Sequence, residues 1–303
     1  MIYTVTLNPA IDYYLEMENF IQGDLNHLKN GYTLPGGKGI NVSKVLKNFK
    51  VPSTALGFVG GFTGEYVKKN VFEYGIDENF INIQGSTRIN IKMKTKDKES
   101  EIAGMSPNIS KIEYEEFLKT IKFVGENNVI VLSGSVPASL NKDIYKKIID
   151  ILPENTKVIL DTRGEPLHLA IGKKVFLVKP NRDEIEEFFQ EKYNTEEELI
   201  EAGKKLKELG AENVIISLGK NGSILISPEG VFRGNVPKGK LISSVGAGDS
   251  MVSGFLYGLH LNKGIIETYK YAIASGSSTA FSKGLTTLEN MNNLLNDIEV
   301  TKI

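Results

Sequence analysis

A mostly parallel, doubly wound α/β sheet flanked by helices, carrying a small β-sheet lid, is the fold this sequence predicts. Three observations predict it. Strand and helix patterns alternate from Ile112 onward, the rhythm of parallel strands joined by crossover helices. Polar and glycine residues recur where those strands end, the edge at which open α/β sheets meet their ligands. Thr87 to Lys94 alternates strictly, and after a face swap Ser100 to Ala103 returns. That hairpin interrupts the strand–helix rhythm and so stands outside the main sheet.

The length of 303 residues and the 41% hydrophobic content suit a globule with one sizeable core. With no repeat, low-complexity tract or linker, residues 1–303 read as a single domain, with lid strands inserted within 12–34 and 87–104. A net charge of −1, from 36 basic and 37 acidic residues, offers no attraction to nucleic acid or an anionic membrane. Zero cysteines exclude disulfides and thiolate chemistry, and the three histidines lack metal-ligand spacing. The opening Met1 to Leu7 has no basic or long apolar stretch, and no apolar run could span a bilayer. A cytoplasmic location is therefore expected.

In chain order, Ile2 to Leu7 is the first strand. It ends at Asn8-Pro9-Ala10-Ile11-Asp12, read as a turn that sets Asp12 near a ligand; an Asx-turn or cap accounts for it equally. Pro35-Gly36-Gly37-Lys38-Gly39-Ile40-Asn41-Val42 puts glycines around a lysine ahead of a helix over 41–49. Gly39 stands where a P-loop needs a magnesium-binding hydroxyl, so this is a different anion- or hydroxyl-binding loop, or a plain tight turn. A buried strand over 55–61 and a helix over 64–74 follow. Arg88 and Lys92 share one face of the lid strand, able to reach a phosphate together or simply to form a charged surface.

The regular part then runs helix 112–125, strand 129–132, helix 142–152, strand 157–160, a short helix around Leu167, strand 175–178, helices from Arg182 and over 195–209, and strand 213–216. A hairpin over 223–226 and 231–235 precedes helices over 250–260, 265–281 and 288–298. Strand ends carry Ser133 to Ser135, Asp161, Lys179 to Asn181 and Ser217 to Gly222, which together outline a crevice. Asn181 and Glu184 fall on one helical face and could hold magnesium or cap the helix. Gly219 and Gly222 could let phosphates approach the backbone or just make a turn.

Val245-Gly246-Ala247-Gly248-Asp249-Ser250 sits where a helix begins. Free N–H groups there seat an anion, and glycines let it close on the backbone. Asp249 would repel a bound anion, which makes sense if it takes a proton from a hydroxyl while the N–H groups hold developing charge. A helix cap is the alternative.

These motifs, in this order over essentially the whole chain, resemble the ribokinase-type, phosphofructokinase B family of sugar kinases. Gly-Ala-Gly-Asp together with Gly-Gly-Lys-Gly-x-Asn carries most of the likeness. Thr87 to Asn90, Gly57 to Glu65 and Val236 to Lys240 narrow it to the branch acting on fructose 1-phosphate. The resemblance implies a ribokinase-like fold and an ATP- and Mg²⁺-dependent kinase forming fructose 1,6-bisphosphate. It implies that Asp249 is the base and that Gly246, Ala247 and Gly248 help form the anion hole, Gly248 also meeting ATP. It further implies that Asp12, Gly37, Lys38 and Asn41 bind sugar, with Arg88, Asn90 and Ser135 near its phosphate. Lys179, Asn181, Ser217, Gly219, Gly222 and Ser278 would line the ATP site, and Asn181 and Glu184 would organise the metal. Lys38 would add positive charge near a sugar phosphate. Relatives acting on tagatose 6-phosphate or fructose 6-phosphate are the alternatives, a non-catalytic sugar-phosphate sensor the rival from another class. Pairing through the lid implies a homodimer.

Overall fold

The structure, a computed structural model, describes residues 1–172 and 174–303. The first half runs β1 (Ile2–Thr6), β2 (Ala10–Glu16), β3 (Asn30–Gly36), α1 (Lys38–Asn48), β4 (Ser53–Gly60), α2 (Gly61–Glu73), β5 (Asp77–Ile83), β6 (Arg88–Lys94), β7 (Glu99–Ile102), α3 (Lys111–Lys122), β8 (Val129–Ser133) and α4 (Ile144–Ile151). The second runs β9 (Lys157–Asp161), α5 (Glu165–Ala170), β10 (Val175–Val178), α6 (Arg182–Phe189), α7 (Glu196–Glu208), β11 (Asn213–Ser217), β12 (Ser223–Ser227), β13 (Gly230–Gly234), α8 (Ala247–His260), α9 (Ile265–Ala280), α10 (Leu288–Leu295) and β14 (Val300–Lys302).

Among the described residues, ten strands form one sheet in the order β14-β13-β12-β11-β10-β9-β8-β1-β4-β5. Strands β11 to β5 in that order pair parallel, and the hairpin and β14 add antiparallel at one edge. Both faces are covered, as parallel sheets require. Val158 and Leu160 of β9 enter one core, with α3, α4, α6 and α7; Ile159 between them enters the other, with α1, α8 and α9. The period-two switch of side-chain direction makes one strand serve both layers. Among the described residues no helix is long and apolar enough to cross a membrane.

The lid is a separate four-stranded sheet, β3-β2-β6-β7. Its centre is a parallel pair, β2 with β6, that sets Asp12 opposite Asn90. The residues around Asp12 are therefore strand, not the turn the sequence suggested, and the chain leaves β1 straight into the lid. Strands β5 and β14 went unread. Asp77, Glu78 and Asn79 disguise β5, whose buried residues are Phe80, Ile81 and Ile83. β14 is three residues on a sheet edge.

Helices α1, α2 and α8 each begin three residues earlier than their patterns predict. The cause is shared. Gly37 (φ 135°) precedes α1, Gly61 (φ 63°) opens α2 and Gly246 (φ 78°) precedes α8. Glycine at positive φ turns the chain directly into a helix, whereas a sequence pattern treats the same glycine as a break. All three entries are near strand ends, so the shift brings helix N-termini to the ligand edge.

Candidate active site

Because β1, β8, β9, β10 and β11 are parallel, their carboxyl ends fall on one edge. Helices α1 and α8 start there and pack together. Asn41, in the first turn of α1, donates Nδ2–H to Asp249 Oδ2 at 2.8 Å.

Asp249 is the third residue of α8 and is buried. It does not cap the helix: the cap position is Gly246, and no side chain bonds there. Ala247 N–H is taken by Ser244 O at 3.2 Å, and Ser250 N–H by Gly246 O at 2.9 Å. Of the Gly246–Asp249 backbone, Ala247 N–H is the one taken within the chain, so the N–H groups of Gly246, Gly248 and Asp249 are left for an incoming oxyanion. Burial, and then the neighbouring Asp161 carboxylate, push the Asp249 carboxyl up to about 6; Lys38, the Asn41 amide and Lys179 pull the other way. The group is ionised at neutral pH and more basic than a surface aspartate.

Asp161, at the end of β9, anchors the charges around it. Its Oδ1 lies 3.2 Å from Lys38 Nζ and 3.4 Å from Lys179 Nζ. Burial opposes its ionisation, but Lys179 and Lys38 hold it below the usual carboxylate range. Burial likewise opposes the Lys38 charge, yet Asp161, Asp249 and Glu184 outweigh it and raise that ammonium above its ordinary value. Two carboxylates and two ammoniums thus form a balanced cluster. Lys38 is a member of this cluster, and its side chain is 37% exposed toward the crevice it would share with a sugar phosphate. The Lys179 ammonium sits over the start of α8: a Cβ on Gly248 would come within 3.2 Å of it. Asp161 was visible in the sequence as a strand end; its role required the two lysines, which lie far away in the chain.

The lid supplies the other wall. Asn90 Nδ2 donates to Asp12 Oδ1 at 2.8 Å, and Asn90 Oδ1 accepts from Gly104 N at 3.1 Å. Gly36 is glycine because a Cβ there would strike Asp12 Oδ2 at 2.4 Å. Arg88 Nη2 donates to Asn8 O at 3.2 Å, while its buried Nε has no partner. Asn8 Nδ2 donates to Ser106 Oγ at 2.8 Å and Ser135 Oγ at 3.3 Å. Both hydroxyls accept from the amide, so both keep their protons to donate. A guanidinium and two hydroxyl donors are thus all tied to Asn8, groups of the kind that bind an oxyanion. Lys92 takes no part: it pairs with Glu101. Ser106 went unnoticed because its contact to Asn8 spans 98 residues.

On the opposite side, Lys179 is buried, and Asn181 and Glu184 form a reciprocal capping box at the start of α6. Asn181 Oδ1 accepts from Glu184 N at 2.8 Å, and Glu184 Oε2 accepts from Asn181 N at 2.9 Å. Among the described residues no three carboxylates or histidines gather as a metal cage. Asp161 Oδ2 is buried without a partner. Such a donor set fits Mg²⁺, which keeps several waters and takes few protein carboxylates when phosphates complete its shell. Ser217 pairs as an isolated bridge with Asn181, and a 3₁₀ turn at Gly219–Asn221 leads to Gly222 (φ 85°). Ser278, expected to line the ATP site, is 2% exposed, and its Oγ accepts from Thr286 Oγ1 at 2.6 Å. It belongs to the core between α9 and the following loop, not to the wall of the crevice.

The model of the pfkB family of carbohydrate kinases matches residues 4–291. A 1-phosphofructokinase from Bacillus subtilis is 47% identical over 304 aligned residues, covering 100% of both chains. A D-tagatose-1-phosphate kinase from Bacillus licheniformis is 34% identical over 100% of both. The crystal structure of Escherichia coli phosphofructokinase-2 in complex with fructose-6-phosphate superposes with a TM-score of 0.91 at 23% identity, covering 97% of this chain and 98% of that one; at that identity it speaks for the fold alone. With a family model spanning nearly the whole length and relatives matched end to end, this chain belongs to the pfkB family of carbohydrate kinases.

Proposed function

We propose that the chain phosphorylates fructose 1-phosphate at its 6-hydroxyl with ATP, giving fructose 1,6-bisphosphate. The observation that carries this reading is a pair of separate anion seats flanking Asp249 and Asp12: the start of α8 on one side, and the Arg88, Ser106 and Ser135 donors on the other. A product phosphorylated at both ends needs two such seats. The full-length match to a 1-phosphofructokinase supports the choice of sugar.

Asp12, held by Asn90, accepts from sugar hydroxyls, and Gly37, packed on Thr6 at φ 135°, offers its backbone to the sugar at the start of α1. Asn41 orients Asp249, which takes the proton of the acceptor hydroxyl. The N–H groups of Gly246, Gly248 and Asp249 receive the charge that develops on the transferring group, with Lys38 and Lys179 close by. Lys179, Asn181, Ser217, Gly219 and Gly222 line the nucleotide side. Asn181 and Glu184, with the unpartnered Oδ2 of Asp161 on the same edge, would hold Mg²⁺, which when bound offsets the charge of the phosphates. Closure of the lid excludes water and so limits idle ATP hydrolysis. The enzyme works in the cytoplasm, where ATP and sugar phosphates are supplied, and pairs through the lid.

ADP release with Mg²⁺–ATP, compared by kcat/KM across fructose 1-phosphate, tagatose 1-phosphate, tagatose 6-phosphate and fructose 6-phosphate, tests the reading. Fructose 1-phosphate is expected to lead. Preference for tagatose 1-phosphate would follow the Bacillus licheniformis relative; it would keep both anion seats and change only the hydroxyl contacts. Preference for either 6-phosphate would overturn the assignment of the acceptor.

A further inference from the structure

Arg233 lies on β13, behind the 3₁₀ turn that borders the nucleotide side of the crevice. Its guanidinium bonds to both sides of Gly222. Nη1 donates to Ser223 O at 3.2 Å and to Gly234 O at 2.8 Å, and Nη2 donates to Asn221 O. Nε is held by both oxygens of Glu196, at 3.0 and 2.9 Å, from the first turn of α7. One planar cation therefore ties three backbone carbonyls to a helix start. Gly222 has room for no side chain: a Cβ would stand 2.2 Å from Gly234 O and 2.5 Å from Arg233 Nη1. Behind it Ser223 Oγ and Tyr269 Oη lie 2.7 Å apart, with Tyr269 fully buried on α9. The other face of the turn is open. Gly219 (φ 57°) has no heavy atom within 4 Å of where its Cβ would point. One side of the turn is clamped and the other is left free.

We infer that Arg233 is a positioning residue for the nucleotide, with Glu196 as its orienter. It holds the Gly219–Gly222 backbone in the one conformation that presents its open side to ATP. The inference rests on reading this crevice as the ATP site. Removing the guanidinium leaves the carbonyls of Asn221, Ser223 and Gly234 short of donors, and the turn loses the tie that spans Gly222. A lysine cannot replace it, because a single ammonium cannot reach both sides of Gly222 while also meeting Glu196.

The test is steady-state kinetics of Arg233→Met, Arg233→Lys and Glu196→Gln on the full chain, with ATP and the sugar phosphate varied separately. Arg233→Met is expected to raise KM for ATP about tenfold, the scale of one lost charge-assisted bond network, and to leave KM for the sugar phosphate within about twofold. Arg233→Lys should resemble it, and Glu196→Gln, which keeps an acceptor for Nε, should fall between wild type and Met. An unchanged KM for ATP in Arg233→Met, or equal rises for both substrates, would overturn the inference. If Arg233→Met does not fold, Glu196→Gln decides: no rise in KM for ATP overturns it. Titration of the wild type with ATP is the control. A wild type that does not bind ATP sinks the kinase reading itself, whereas normal wild-type binding with unaffected variants sinks only the clamp.

Discussion

Asp249 illustrates how one residue trades stability for chemistry. Its carboxyl stands at about 6 against an ordinary 3.8, chiefly through burial and secondly through Asp161. Between those values the folded chain holds more protons than the unfolded one, so stability falls as pH rises across that window. Above pH 6 the whole cost remains, at most about 3 kcal/mol for a shift of about two units. Asp249→Asn should therefore melt higher than wild type at pH 7, with the gap closing below pH 4. Thermal unfolding at both pH values measures this; equal gaps would mean the carboxylate is not strained. The same variant should bind ATP yet lose turnover by about 10²–10⁴-fold, the usual share of general base catalysis. In wild type, kcat/KM should fall on the acid side with an apparent value near 6, and Asp249→Asn should lack that limb. At the sugar's other end, Arg88→Ala and Ser106→Ala should raise KM for the sugar phosphate far more than for ATP. Parallel rises for both substrates would remove these residues from the sugar-phosphate side.

Among elements, α1 does the most. It brings Asn41 to Asp249, Lys38 to Asp161 and, further along, Lys44 beneath the lid. Lys44 is 7% exposed and donates to Pro35 O of β3 at 2.9 Å. Burial pushes its ammonium down to about 8 from 10.5, and Asp12 only partly offsets this. Here the unfolded chain holds more protons between the two values, so stability should rise with pH from about 8 to 10.5. Lys44→Met should abolish that rise, read as denaturation midpoints at pH 8 and pH 10; parallel profiles would show that the lysine carries no such strain. How legible these elements were follows the same logic. Continuous apolar runs reveal the parallel strands, because both of their faces are buried. Glycine-led helix starts hide within a helix pattern, and the entry into β2, Ala10 to Asp12, resembles a turn, because its pairing with β6 joins residues about eighty positions apart. The two glycine loops at helix starts, Gly36 to Asn41 and Val245 to Ser250, are legible as local strings. Asp161's two lysines and the Asn8–Ser106–Ser135 chain are not, since each is made by distant segments meeting. Ser278 was misplaced because small residues on a helix do not say which face they turn inward.

At the scale of the whole molecule, the lid is the part the rest of the chain does not finish. Arg88 and Asn90 share one face of β6, the face of Asp12 across the pair with β2. Ile89 points the other way, and Ile102 of β7 lies on that same outer side. They are 41% and 57% exposed. Exposed apolar side chains on a sheet whose two edge strands lack further partners among the described residues invite a second sheet. A second copy of the chain would cover this face without touching the crevice. Light scattering should accordingly give twice the mass of one chain, and Ile89→Lys combined with Ile102→Lys should give the mass of one. Ile89 is on the far side of the very strand that presents Arg88 and Asn90, and Ile102 is on the strand beside it. Loss of the partner should therefore loosen the sugar side and raise KM for the sugar phosphate, while KM for ATP, set at α6, α8 and the 3₁₀ turn, stays near wild type. A double variant that keeps the dimer mass would place the interface elsewhere. One that becomes monomeric with both KM values unchanged would show that the lid holds its shape unaided.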